Sequence, residues 1–292
     1  LGSARELSDC PAALSTSMIS WPISRRRWTL FTEMPELLEI ETYRKAAEPI
    51  VGRTIAVVDA PDDWYLKGGL GPAEVVSVLP SVTITAAGRI GKLLLLETDG
   101  PTIGLRFGMT GRLIINGDAA LSDLEYGSNR DNPAWDRFAL RFTDGGSLVM
   151  RDPRRLGGVE LNPDVSKLGP DAGLVTLKPF RQILDESGAP LKARLMDQAR
   201  IAGLGNLLVD ESLFRAGLSP ERPAKSLQPD EATRLHRAIR QTLKTLGGRG
   251  GSHTGDLQPA RVRGGLCPKD GEALRRTKVG GRTTYWCPHH QR

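Results

Sequence analysis

Two neighbouring side groups near the start of the chain carry most of the chemical interest. The stretch Met34-Pro35-Glu36-Leu37-Leu38-Glu39-Ile40-Glu41-Thr42 places a proline directly after a methionine. If translation starts at Met34 and the methionine is removed, Pro35 bears a free secondary amine. An α-amino group has a pKa of about 7.7–8.0, so part of it is unprotonated near neutrality. Such an amine attacks an aldehyde-like carbon and forms an iminium, by the logic of a Schiff-base lysine. Glu36, one residue on, is suited to moving protons beside it. The same residues also read as an ordinary helix start. Pro35 fits the first turn, acidic residues suit the positive end of the helix dipole, and Leu37, Ile40, Ala47 and Ile50 recur near one face.

The amine reading constrains the segment before it. Residues 1–33 hold Ser3, Ser8, Ser15, Ser17, Ser20, Ser24 and Arg25-Arg26-Arg27, with no long apolar core. That is a poor secretory signal, and Glu6 and Asp9 argue against an organelle presequence. The expectation is that 1–33 is an extension absent from the active protein, which begins at Pro35. With the extension attached, the proline nitrogen is a tertiary amide without a basic lone pair.

The chain has 292 residues, enough for two or three domains, and its 39% hydrophobic and 25% charged residues fit a globular protein. No apolar run approaches the roughly 18–20 residues of a membrane span. The net charge is +6, and placement says more than the total. From Pro259 onward Arg261, Arg263, Lys269, Arg275, Arg276, Lys278, Arg282 and Arg292 face only Asp270 and Glu272, so the whole excess lies in this tail. That permits an acidic partner. Three cysteines give no disulfide framework and fit a reducing compartment.

Between 51 and 162 short apolar or β-branched runs follow one another: Ile55–Val58, Val82–Thr85, Lys92–Glu97, Thr102–Phe107, Arg112–Ile115, Phe138–Phe142 and Ser147–Met150. Asp99-Gly100, Asn116-Gly117 and Asp144-Gly145 punctuate them as turns. These predict a β-sandwich flanked by the opening helix. Asn162-Pro163 and Gly169-Pro170 mark 163–185 as a connection. Beyond Pro190 the pattern is helical: Leu191–Gln198, a turn with Gly203 and Gly205, Leu207–Phe214, then Glu231–Leu246. Asn206 caps a helix there, and a helix start also offers free amides to a phosphate.

Met-Pro-Glu-Leu-x-Glu-x-Glu-Thr resembles the amino terminus of the formamidopyrimidine-DNA glycosylase / endonuclease VIII family, with Leu38 where that family has proline. Two further stretches extend the resemblance over most of 34–292. Leu195-Met196-Asp197, Gly203-Leu204-Gly205-Asn206 and Asp210-Glu211-Ser212-Leu213-Phe214 are similar to its helix–two-turn–helix. Cys267-Pro268-Lys269-Asp270 and Cys287-Pro288-His289-His290, sixteen residues apart, have the spacing of its zinc finger. The resemblance implies an α+β fold: an N-terminal catalytic β-sandwich (34–162), a linker (163–185), a helix–two-turn–helix DNA-binding domain (186–260) and a zinc-finger β-hairpin (261–292).

It also implies a base-excision-repair DNA glycosylase with abasic-site lyase activity. Pro35 attacks the sugar C1′ and Glu36 assists ring opening. Lys92, otherwise a strand-end lysine, is placed among the catalytic groups, binding a phosphate beside the damaged nucleotide. Glu39 orients the sugar or base. Met109, otherwise a core methionine, and Arg154 with Leu156 fill the gap left by the extruded base; Leu156 stands where the family has phenylalanine. Lys192, Asn206 and Arg282 grip phosphates. Cys267, Asp270, Cys287 and His290 hold one structural zinc, aspartate and histidine standing where the family has cysteine. Both can ligate zinc, and the rival is a metal-free hairpin packed on Tyr285 and Trp286. The implied partner is damaged double-stranded DNA, met by a monomer in the cytoplasm at the nucleoid. A DNA-binding paralogue without the chemistry, and an RNA-associated basic zinc ribbon, remain as alternatives. Only fifteen residues separate Gly251 from Cys267, shorter than the loop with which family members cap 8-oxoguanine, so the lesion stays open.

Overall fold

The structure, a computed structural model, describes residues 35–121, 130 and 132–292. The expected extension 1–33 and Met34 lie outside the described residues.

Helix α1 (Leu37–Ala46) opens the described chain and serves two cores at once. Ile40, Tyr43 and Ala47 pack into the core of a β-sandwich, while Leu37 and Leu38 pack into a separate helical core. The helical period makes this division possible, because residues three and four apart share a face.

The sandwich has a five-stranded and a four-stranded antiparallel sheet. The first runs β1 (Ile55–Asp59), β7 (Asp136–Phe142), β8 (Ser147–Arg151), β5 (Arg112–Ile115), β6 (Asp118–Ala119). The second runs β2 (Ile84–Ile90), β3 (Leu93–Thr98), β4 (Ile103–Arg106), β9 (Gly158–Leu161). Asn116 and Gly117 both have positive φ, 53° and 92°, which suits the two-residue turn joining β5 to β6. Helix α2 (Pro72–Val78) packs beside β1. Leu94, Leu96, Leu105, Phe138, Leu140 and Met150 are buried between the sheets.

The helical half differs from expectation at its start. The segment 163–185 is not simply a connection: it contains α3 (Leu177–Asp185), and Ala172, Val175, Phe180 and Leu184 are buried in the helical core. Its breakers lie ahead of the helix, and the apolar residues beyond them are spaced for burial. Helices α4 (Leu191–Leu195), α5 (Asn206–Ala216) and α6 (Pro229–Arg249) follow. The tail forms a hairpin of β10 (Arg275–Val279) and β11 (Arg282–Trp286), and β11 rests on α5.

Polar contacts, most of them partly buried, join the two halves. Arg89 of β2 donates to Glu41 of α1 at 2.9 Å and to Asp171 at 2.5 Å, and Asp171 also accepts from Gly91 N at 2.8 Å. Gly91 has φ of +55°, and a Cβ there would sit 2.7 Å from Ala202 Cβ and 2.9 Å from Gly203 N. The β2–β3 turn is therefore pressed against the loop before α5, which fixes where Lys92 begins.

Candidate active site and metal centre

Pro35 is buried in a bend immediately before α1. The chain is held on both sides of the next peptide: Leu37 N donates to Gly203 O at 3.1 Å, and Glu36 N donates to Glu39 Oε2 at 2.9 Å. The Glu36 side chain is fully buried. Its carboxylate crosses to the helical half and lies at the N-terminus of α5, accepting from Gly205 N (3.0 Å), Leu207 N (2.8 Å) and Leu208 N (3.1 Å). Those amides are the orphan donors of a helix start, and the helix dipole favours negative charge there.

Burial nevertheless dominates the acidity of this group and raises the Glu36 pKa above its ordinary 4.5. The positive charge of Lys92 opposes the rise, Glu39 adds to it, and the amides of Leu207 and Leu208 oppose it. Lys92, half-buried at the start of β3, is thus electrically coupled to Glu36.

Glu39 is buried beside Glu36. It is 3% exposed, and it accepts from Ser252 N at 2.7 Å and Ser252 Oγ at 2.8 Å besides Glu36 N. It pins the short loop after α6 against α1. Both of its oxygens, expected to orient a sugar or base, are engaged by the protein's own donors in the absence of DNA.

The gap-filling candidates come together through Asp152, a residue that its sequence context does not single out. Asp152 is fully buried, and its carboxylate accepts from Thr110 Oγ1 (2.5 Å), Arg154 N (3.1 Å) and Gly157 N (2.8 Å). It ties the turn carrying Met109 to the loop carrying Arg154 and Leu156. A Cβ on Gly108 would meet the Leu156 backbone at 2.5 Å, so the two segments touch. Arg154 and Leu156 are exposed and Met109 is half-buried. The one signal for Asp152 is the Asp-Pro that opens the loop.

Lys192, expected to grip a phosphate, is paired within the protein in the absence of DNA. It is 0% exposed, donating to Asp210 Oδ1 at 2.6 Å and to Thr283 O at 3.4 Å. Arg261 pairs with the other oxygen of Asp210. A buried lysine without that partner would carry a large desolvation cost. Its reach to Thr283 places it behind the hairpin, next to Arg282. Asn206 is the first residue of α5 and half-buried, and among the described residues nothing bonds its Oδ1. Arg282 opens β11, half-buried.

Cys267, Asp270, Cys287 and His290 converge, each offering one ligand atom within 4.8 Å of the others. Cys267 Sγ lies 3.5 Å from His290 Nδ1, Cys287 Sγ 3.3 Å from Asp270 Oδ2, and His290 Nδ1 3.4 Å from the same oxygen. His290 Nε2 faces Phe214 O at 3.3 Å. That contact favours a proton on Nε2 and leaves the Nδ1 lone pair for a metal.

The amino-terminal part, 34–159, matches the formamidopyrimidine-DNA glycosylase N-terminal domain, and 168–255 matches the H2TH domain of the same proteins. The formamidopyrimidine-DNA glycosylase of Bacillus licheniformis is 33% identical over 282 residues, covering 87% of this chain and 98% of that protein. The Thermus thermophilus protein of the same name is 34% identical over 284 residues, covering 87% and 97%. The chain belongs to the formamidopyrimidine-DNA glycosylase family. Lactococcus lactis Fpg in complex with abasic-site DNA has a similar structure, with a TM-score of 0.74 at 28% identity over 88% of this chain and 99% of that one. The same enzyme with DNA containing N7-benzyl-Fapy-dG gives 0.73.

In this family member the two turns that meet at Glu36 have no room to spare. A Cβ on Gly205 would fall 2.5 Å from Glu36 Oε1 and closer still to Cδ. Gly205 has φ of −126°, so backbone strain is not the issue. Gly205→Ala is expected to expel the carboxylate and lower excision by about 10²-fold, the low end of the usual proton-transfer contribution. Steady-state cleavage beside a thermal melt checks this; unchanged cleavage would mean that the position of Glu36 is immaterial.

Proposed function

We propose that this chain is a DNA glycosylase of base excision repair that removes oxidised bases and cuts the strand by abasic-site lyase chemistry. The observation that carries the reading is the Glu36 carboxylate, one residue from Pro35, buried and held by three amides of the opposite half. A base stacked in a duplex is out of reach, so it must first be rotated out of the helix.

In this reading the Pro35 nitrogen, free after processing, attacks C1′ of the extruded nucleotide, and the bond from C1′ to the base breaks. Glu36 delivers a proton to the ring oxygen as the sugar opens, leaving an iminium between Pro35 and C1′. Loss of a C2′ proton then expels the 3′ phosphate, and a second elimination expels the 5′ phosphate. Arg154, Leu156 and Met109 fill the vacated stack, as apolar wedges do elsewhere. Lys92, Asn206 and Arg282 hold phosphates, while Lys192 and Glu39 position the hairpin and the loop after α6. The chain acts as a monomer at the nucleoid. Among the described residues no helix is long and apolar enough to cross a membrane.

Zinc fits the tail cluster. Tetrahedral bonds of zinc to sulfur, nitrogen and oxygen place the ligand atoms roughly 3.3–3.8 Å apart. The separations of 3.3, 3.4 and 3.5 Å are of that size. When bound, the ion supplies cross-linking rather than catalysis, and the four ligands tie the hairpin ends together. About one zinc per chain is expected by elemental analysis, falling several-fold in Cys287→Ala; under a tenth of an equivalent in the native protein favours the metal-free hairpin.

Duplexes carrying a formamidopyrimidine, 8-oxoguanine, an oxidised pyrimidine or an abasic site test the function directly. Excision of at least one lesion is expected. Binding without excision or strand cleavage on any of them would leave a DNA-binding protein on the same scaffold.

A further inference from the structure

Trp64 is the feature that the proposed chemistry leaves unused. Its indole is 64% exposed, on the one-turn helix Asp63–Tyr65. Its neighbours Tyr65 and Leu66 are buried, so the ring is held out by a fixed backbone. Lys67 lies over it, with Nζ 5.1 Å from the ring centroid, and donates to the Trp64 carbonyl.

That turn is bolted to the loop carrying Arg154 and Leu156. Arg155 donates to Asp62 Oδ1 at 2.5 Å, and Lys67 N donates to Val159 O at 2.8 Å. A Cβ on Gly157 would lie 2.5 Å from the Tyr65 hydroxyl, and one on Gly158 2.5 Å from Lys67 Cε. These contacts involve Arg155 before Leu156 and Gly157, Gly158 and Val159 after it. The indole and the gap-filling loop are therefore one rigid edge.

The hollow beside the ring indicates what it meets. It is a wide-open depression of about 440 Å³ lined by Asp62, Asp63, Trp64, Asp136, Arg137 and Arg155, among others. Asp62 is 8% exposed: Arg155 holds its Oδ1, and its Oδ2 is buried without a hydrogen bond, 3.7 Å from Arg137 Nε. Three carboxylates against two guanidinium groups disfavour a phosphate. A nucleobase suits the place better, since it carries no charge, presents amino and imino donors at its edge, and has a face that stacks on indole.

We infer that Trp64 is a DNA-contacting residue that stacks on a base of the complementary strand at the lesion. The inference rests on the reading that the Arg154–Leu156 loop enters the gap. It assigns the recognition of the undamaged strand to two separate segments, of which only one belongs to the loop itself.

The test is binding of the full protein to a duplex containing a non-reactive tetrahydrofuran site, with 2-aminopurine opposite the site or one step to either side in separate duplexes. Trp64→Ala is expected to bind about tenfold more weakly, the scale of one base–aromatic stack, and to relieve part of the 2-aminopurine quenching at one of those positions. Trp64→Phe retains most of both. Circular dichroism confirms that the variants fold, and Arg154→Ala serves as a reference. If Arg154→Ala changes the fluorescence while Trp64→Ala leaves affinity within twofold and fluorescence unaltered at every position, this inference falls alone. If neither variant changes anything, the placement of the loop in the gap falls with it.

Discussion

A chain processed to begin at Pro35 is expected to form a covalent, borohydride-stable adduct with abasic DNA, and a chain retaining residues 1–34 is expected to form none. The difference is one of bonding, so it is close to all-or-none. In the processed chain the proline nitrogen is a secondary amine with a pKa in the region of 8, and its lone pair is available to a sugar aldehyde. In the longer chain the same nitrogen is an amide whose lone pair is delocalised into the carbonyl. Nothing else in the site changes chemical type: Leu37 and Glu36 keep their backbone bonds to Gly203 and Glu39 as donors of the described chain. Trapping should therefore fall to background while the residues proposed to hold phosphates remain. Intact mass of each preparation establishes which nitrogen is present. Equal trapping by the longer chain would move the nucleophile elsewhere, with Lys92 next in line because its charge already acts on Glu36.

What the sequence made legible was local. Met34–Thr42, Gly203–Asn206 and the paired Cys-Pro segments are each short, and their spacing alone places their residues on one turn or hairpin. The strands of the sandwich were legible too, because β-branched runs bounded by Asn-Gly or Asp-Gly turns are a period-two signal. Strand β9 was not, since it opens on Gly158 after a second glycine and has few apolar residues. The long-range pairings were hidden as well. Glu36 binds amides 169 to 172 residues away, and the fully buried Lys192 finds Asp210 one helix later. A lysine in a basic protein that binds an acidic partner reads as a surface cation until its neighbours are known. The same blindness applied to Asp152, whose worth lies in three donors from two segments. Residue type told which chemistry was possible at these positions, and packing decided which of them face a substrate.

Glu36→Gln is expected to reduce base excision by about 10²–10⁴-fold, the usual size of a general acid–base contribution, while binding to a tetrahydrofuran duplex stays within a few-fold. The reason is that a glutamine in this place retains the shape but has no transferable proton of the right acidity. The pH profile separates this role from mere support. Burial raises the Glu36 pKa above 4.5, so the protonated, acid-competent form persists to higher pH than in an ordinary glutamate. The limb of activity that falls with rising pH because of this group should then lie above pH 4.5, and it should vanish in Glu36→Gln. Lys92 pulls in the opposite direction, so Lys92→Met should move that limb still higher. Stability follows the same sign. A carboxyl whose folded pKa is raised contributes stability that is fully present below its unfolded pKa and lost as pH rises through the folded value. Wild type should therefore lose stability relative to Glu36→Gln as pH rises above about 4.5. The amide carries its own cost at all pH values, since its NH2 faces an amide donor at the start of α5, about 1–3 kcal/mol for a bond lost in a buried place. Melting curves at pH 4 and pH 7 resolve the two contributions. A glutamine variant that excises bases within tenfold of wild type, with the same limb, would remove Glu36 from the proton transfer and leave it only as the clamp that joins the two halves.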